Sequence, residues 1–328
     1  MRIVFMGASD LGWECCRTLF EMEQEIVGIF SIPKEFRISW AVKPIKNVRF
    51  KSFEDLAQEH NVPLIYVTRK MSDPVYQEAL RRLQPDILIV IGWYYMVPRA
   101  LRELAPLGAV GVHASLLPKY RGGAPLVWAI INGETQTGVS FFHFADGVDD
   151  GDLIGQANFD IAFEDDISDV VFKASTASVQ LVCDYVPLLG AGKAPRIPQD
   201  HSLATVMPQR KPEDGLIVWH SKSGLQVYNW IRAQTRPYPG AFTYLGQEKV
   251  TIWKARVSDV SCEDNAIPGT IVVNVPGAPG TFGVCCADGR ILRVHEVGLV
   301  DGAVMSGAEF VATRAISTGT VLGAAEGK

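Results

Sequence analysis

The run Asp86-Ile87-Leu88-Ile89-Val90-Ile91 constrains the fold most. Unbroken branched aliphatics leave neither face polar, so a strand built from them must be covered on both sides. Three shorter apolar runs precede it, at Arg2–Gly7, Glu25–Phe30 and Val62–Val67. Between them lie segments of helical character. Leu11, Cys15 and Leu19 recur at four-residue spacing within Leu11–Met22, and Asp73–Leu83 opens with a capping Asp followed by Pro74 at the first helical position. Strands alternating with helices predict a parallel sheet with helices on both faces. Ala109–Ala114 and Val139–Ala145 extend the strand series, a helix is expected near Pro125–Asn132, and Ile167–Leu189 reads as a long closing helix. Arg37–Phe53 fits neither period, carries Lys43, Lys46, Arg49 and Lys51, and is expected to be a loop beside the site.

Composition shifts after residue 190. Gly190-Ala191-Gly192-Lys193-Ala194-Pro195, with Pro198 and Pro208 beyond, reads as an extended connector. The expected organisation is a catalytic domain over 1–190, a linker over 191–208 and a second domain over 209–328. In the second domain a helix, Gly224–Ala233, precedes short strands at Ala241–Tyr244, Val250–Ala255, Gly269–Val273, Thr281–Cys286 and Ile291–Val297, a spacing that suggests a small β-barrel. No apolar run reaches the ~18 residues of a membrane span, and no signal peptide is evident at the N-terminus. Cys15–Cys16, Cys285–Cys286, Cys183 and Cys262 form no CxxC and no zinc spacing, so a reduced cytoplasm is the expected setting. A net charge of −5 argues against a protein built chiefly to grip nucleic acid.

Three segments invite chemistry. Gly7-Ala8-Ser9-Asp10-Leu11-Gly12 lacks the GxGxxG spacing of a dinucleotide site and reads as a tight strand-to-helix turn. In Gly111-Val112-His113-Ala114-Ser115-Leu116-Leu117-Pro118, strand parity puts Gly111, His113 and Ser115 on one face. A histidine at the end of such a strand lies where open α/β sheets bind ligands, although a core histidine fits the pattern equally. Asp146, Asp149, Asp150 and Asp152 lack the spacing of a calcium loop. They form either a solvated turn or a carboxylate partner for His113, and spacing alone does not say which aspartate.

The stretch HASLLPKYRGGAPLVWAIINGETQTGV, followed by DGVDDGDLIGQ, resembles the 10-formyltetrahydrofolate-dependent formyltransferase family. The likeness continues through RIVFMGASDLG, VIGWYYMVPRAL, IRAQTRPYPGAF, VTIWKARV and the closing MSGAEFVATRAISTGTVLG. It implies a Rossmann-like transferase domain followed by an OB-like barrel. It also implies N10-formyltetrahydrofolate as donor, without a metal. An Asn, a His and an Asp act together in that family. His113 and Asp149 match two of them, while the Asn position is Gly111 here. The implied chemistry is attack of a neutral amine on the formyl carbon, with His113 stabilising the oxyanion and Asp149 assisting proton removal. A lost oxyanion donor ordinarily costs ~10²–10³ in rate, which is the ceiling for any gain on restoring Asn at position 111.

The resemblance places the pterin against the loop Ile91, Trp93, Tyr94 and Met96, against Ser115, Leu116 and Pro118, and against the turn Phe144, Asp146 and Val148. Trp93, Tyr94 and Tyr95 fit a core or rim role equally well. From Val206 onward there are 12 Lys/Arg and 11 Asp/Glu, a near-neutral balance that makes a poor tRNA platform. The segments QRKPEDGLIVWH and RPYPGAF look closer to enzymes that formylate nucleotide-linked amino sugars. Arg121, in a basic turn, and Arg210 are the acceptor-binding candidates, with a solvated linker arginine as the alternative for Arg210. Small-molecule substrates are expected, with no membrane partner and a homodimer allowed. Methionyl-tRNA formylation, formyltetrahydrofolate hydrolysis and catalytically dead folate binding are the competing readings.

Overall fold

Seven strands of the N-terminal part build one sheet: β1 (Ile3–Met6), β2 (Ile26–Ser31), β3 (Leu64–Tyr66), β4 (Ile87–Val90), β5 (Ala109–His113), β6 (Gln136–His143) and β7 (Leu153–Asp160). In this computed structural model, which describes residues 1–38 and 43–323, their order is β7-β6-β5-β4-β1-β2-β3. β1 to β5 run parallel, while β6 and β7 pair antiparallel along one edge. β4 lies centrally, its Leu88 and Val90 opposite Val4 and Met6 of β1. Ile87, Leu88, Ile89 and Ile91 are wholly buried, each worth roughly 1.5–3 kcal/mol. The chain builds outward from β1 to β3, then returns to add β4 and β5 on the other side of β1. The order therefore reverses between β1 and β4, where open α/β sheets hold their ligands at the carboxyl ends of the strands.

Helices α1 (Asp10–Glu21) and α3 (Pro74–Leu83) begin as their caps dictate. Ser9 Oγ accepts the Gly12 N–H at 3.3 Å, and Asp73 accepts from Val75 at 3.0 Å. A short helix, α2 (Glu54–Glu59), lacks enough turns to show a period in sequence. The 37–53 segment contributes Ile45–Lys46 to a small hairpin with Glu35–Phe36, while its residues 39–42 lie outside the described ones. β7 also escaped notice, because its outward residues interrupt any apolar run. Further on come α4 (Arg99–Arg102), α5 (Pro125–Ile131) and α6 (Ile167–Gly190).

The chain divides into two units, the first made of Met1–Pro125, Gln136–Asp160 and Phe172–Met207. The second takes Leu126–Thr135, Ile161–Val171 and the chain from Pro208 onward. It holds α7 (Gly224–Arg232) and an antiparallel half-barrel of β8 (Ala241–Leu245), β9 (Glu248–Ser261), β10 (Ile271–Val272), β11 (Phe282–Cys285), β12 (Arg290–Gly298) and β13 (Val304–Ser306), then α8 (Gly307–Thr313). Val227, Ile252, Phe282, Val284, Leu292 and Phe310 form its core. Cys262 and Cys285, which the sequence leaves as a lone residue and half of an adjacent pair, are joined in a disulfide with Cα atoms 5.9 Å apart. β12 pairs on one side with β9, Ser261 opposite Arg290, and on the other with β11, Cys285 opposite Ile291, which brings the two cysteines together, a tertiary juxtaposition that sequence spacing does not show. Among the described residues no helix is long and apolar enough to cross a membrane.

Candidate active site

His113 closes β5, opposite the buried Ser140 of β6, and its side chain is largely enclosed. Its Nε2 lies 2.7 Å from the Tyr120 carbonyl oxygen. A carbonyl only accepts, so Nε2 carries a proton and donates it, which leaves Nδ1 to face Asp149 Oδ2 at 3.4 Å. The same carboxylate oxygen accepts the Gly122 N–H at 2.8 Å. Asp149 itself sits in the left-handed region, with φ of 50°. Both expected catalytic residues therefore meet, with one carboxylate oxygen shared between an imidazole and a backbone amide. At the end of β6, burial pushes the imidazole pKa of His143 down, and Arg196 adds to that, so it favours the neutral form.

The turn after His113 is held from inside. Ser140 is fully buried; it donates to the Ser115 carbonyl at 2.7 Å and accepts the Leu117 N–H at 3.0 Å. Gln156 donates to Leu117 O at 2.9 Å and to Ser140 Oγ at 2.8 Å. Ser115 Oγ is engaged with Lys119 O at 2.6 Å, while Leu116 and Pro118 are half-buried. Position 111 faces a neighbour rather than open space. A Cβ there would come within 2.4 Å of Val90 O and 2.6 Å of the Phe144 ring. Phe144 stacks on Phe142 with centroids 5.3 Å apart.

Of the expected pterin loop, Ile91 is buried, Met96 is 62% exposed, and the aromatics between them are tied down. Tyr94 donates to Asn47 Oδ1 at 2.8 Å and lies 5.0 Å, centroid to centroid, from Phe36. Gly92, at φ of 64°, lets this loop press on the β1–α1 turn, where any side chain would strike Ser9 Oγ. Asp146 is exposed and paired with Arg102 at 2.5 Å, and Val148 is 49% exposed. Among the described residues, two buried polar atoms in these loops have no hydrogen-bond partner, Trp93 Nε1 and Asp150 Oδ1.

The arginines named as acceptor candidates are both engaged within the protein. Arg121 is 7% exposed, with its guanidinium bonded to Gln199 Oε1 at 2.7 Å and 3.1 Å from His201 Nδ1. Arg210, in the second unit, lies between the rings of Trp128 and Trp230, 4.8 Å from each centroid. It donates to Asp214 O and to Gln234 Oε1, and burial lowers its pKa. Arg210→Ala is expected to cost about 1–2 kcal/mol of stability through loss of this stack, measured by urea unfolding. An unchanged midpoint would remove the stack from the account. Sequence reading missed Ser140, Gln156, Gln199 and Asn47. Single polar residues in strands or extended chain carry no periodic signal.

The transferase family model, described as formyl transferase, matches residues 1–186, and the formyl transferase C-terminal domain model matches 210–315. HypX from Aquifex aeolicus is 17% identical with a TM-score of 0.63, over 95% of this chain and 48% of that one. The chain thus spans about half the length of HypX. An N-formyltransferase from Helicobacter canadensis, solved with folinic acid and dTDP-3-aminofucose, is 16% identical with a TM-score of 0.64, covering 89% and 98%. Methionyl-tRNA formyltransferase from Clostridium thermocellum is 19% identical with a TM-score of 0.54, covering 79% and 94%. At such identities the structural likeness shows the fold. The two domain matches, laid over the parallel sheet and the half-barrel, go further: the chain belongs to the formyl transferase family.

Proposed function

We propose that this formyltransferase moves a formyl group from N10-formyltetrahydrofolate to a primary amine on a nucleotide-linked amino sugar or a similar small metabolite. The observation that carries the reading is the enclosed pair of His113 Nδ1 and Asp149 Oδ2, 3.4 Å apart at the carboxyl end of β5. The donor, when bound, supplies an activated formyl carbon. The loops around 91–96 and 144–150 suit a pterin, because Trp93 Nε1 offers an unused donor and Asp150 Oδ1 an unused acceptor. Charged His113 would oppose negative charge developing on the formyl oxygen. Asp149 would hold the proton on Nδ1 and take up the amine proton through water, and that proton would pass to N10 as the formyl C–N10 bond breaks and tetrahydrofolate leaves.

The near-neutral balance after Val206 supports a small acceptor over tRNA, since few phosphates could be neutralised there. The Helicobacter canadensis neighbour's amino-sugar nucleotide points the same way. The test is a mass-spectrometric screen with formyltetrahydrofolate, offering aminoacylated tRNA and a panel of amino-sugar nucleotides. A formylated sugar nucleotide is expected. Formylated aminoacyl-tRNA, formate release without any amine, or folate binding without turnover would each overturn the proposal.

A further inference from the structure

We infer that Gln199, in the extended segment after α6, is a positioning residue for Asp149, and that this segment is a strap across the site loops. The inference rests on the catalytic pairing of His113 with Asp149 proposed above. From Ile197 to Met207 the chain is stitched to those loops at successive points. Ile197 exchanges backbone hydrogen bonds with Leu153 at 2.7 and 2.9 Å. Gln199 is 6% exposed and uses its whole amide. Its Nε2 donates to Asp149 O at 2.9 Å and to Gly151 O at 2.7 Å. Its Oε1 accepts from Arg121 Nε at 3.2 Å and Nη2 at 2.7 Å. Thr205 Oγ1 accepts the Tyr120 N–H at 2.8 Å, and Val206–Met207 pairs parallel with Arg121–Gly122.

The two loops joined this way are those that fix the pair. Tyr120 O and Gly122 N–H hold His113 and Asp149 respectively. Asp149 also keeps a backbone angle, φ of 50°, that an L residue adopts reluctantly. The two carbonyls bound by Gln199 lie on either side of Asp150, so the amide pins the backbone that aims the carboxylate. Without it, Arg121 would also lose the acceptor of its Nε and one acceptor of its Nη2. Arg121 thus acts through Gln199 and Gly122, from inside the protein.

The test uses Gln199→Ala and the near-isosteric Gln199→Glu, which keeps the partner of Arg121 but loses both donated hydrogen bonds. Each is expected to lower kcat by ~10–10² with little change in KM for the donor, since displacement of a reacting group by about 1 Å can cost that much. In an Asp149→Asn background, Gln199→Glu is expected to cost little more, because both changes act through one carboxylate. Full additivity, or a folded Gln199→Glu enzyme with wild-type kcat, would overturn the inference. Should Gln199→Ala not fold, the Glu variant and the cycle decide. If Asp149→Asn alone leaves turnover intact, the catalytic reading fails, and the strap's role in aiming a catalytic carboxylate fails with it. Loss with Asp149→Asn but none with Gln199→Glu strikes the strap alone.

Discussion

His113→Ala and Asp149→Ala are each expected to reduce formyl transfer by ~10² or more while the protein stays folded. Removing the imidazole takes away the group whose Nδ1 faces Asp149 Oδ2 at 3.4 Å at the carboxyl end of β5. Removing the carboxylate takes away the charge facing Nδ1 and the acceptor of the Gly122 N–H at 2.8 Å. Asp149→Asn separates those two losses. Its side-chain oxygen can still accept from Gly122, so the loop keeps its anchor while the charge disappears. Steady-state kinetics on the true acceptor should therefore show Asp149→Asn nearly as impaired as Asp149→Ala, with a higher melting temperature. Near-normal turnover in both alanine variants would dismiss the assigned pair.

Gly111→Asn is expected to damage the enzyme rather than restore a family amide to it. A Cβ at that position would sit 2.4 Å from Val90 O, which belongs to the central strand β4 and cannot swing aside. The Phe144 ring, 2.6 Å away, closes the remaining space. Overpacking of this kind costs about 1–3 kcal/mol. At roughly 2–4 °C per kcal/mol, melting should fall by several degrees, with turnover falling too. Gly111→Ala should show the same fall in melting, because the clash begins at Cβ. A stable Gly111→Asn variant with turnover raised by ~10²–10³ would show that β4 and Phe144 yield, and that the site lacked a donor.

Both expectations concern residues the sequence had singled out, and the structure treats them differently. His113 and Asp149 are separated by 36 positions, yet Nδ1 of the one lies 3.4 Å from Oδ2 of the other, in the loop after β6. Parity assigns Gly111 to the face of His113 but says nothing of Val90 O or of the ring of Phe144. Arg121 and Arg210 were legible as cations near motif segments. Their engagement with Gln199, and with Trp128 and Trp230, was not.

The alternation of apolar runs with helical segments determined the parallel sheet by itself, because an all-aliphatic strand such as Ile87–Val90 has only one stable setting. Local chemistry likewise determined the starts of α1 and α3, since Ser9 and Asp73 satisfy amide groups within three residues of themselves. Only the tertiary structure decided the antiparallel edge at β7, the Cys262–Cys285 link and the strap carrying Gln199. Each of these depends on partners far along the chain. Extended backbone without a periodic apolar face acquires its role from the groups it meets, and those meetings are fixed by the packing of the whole unit.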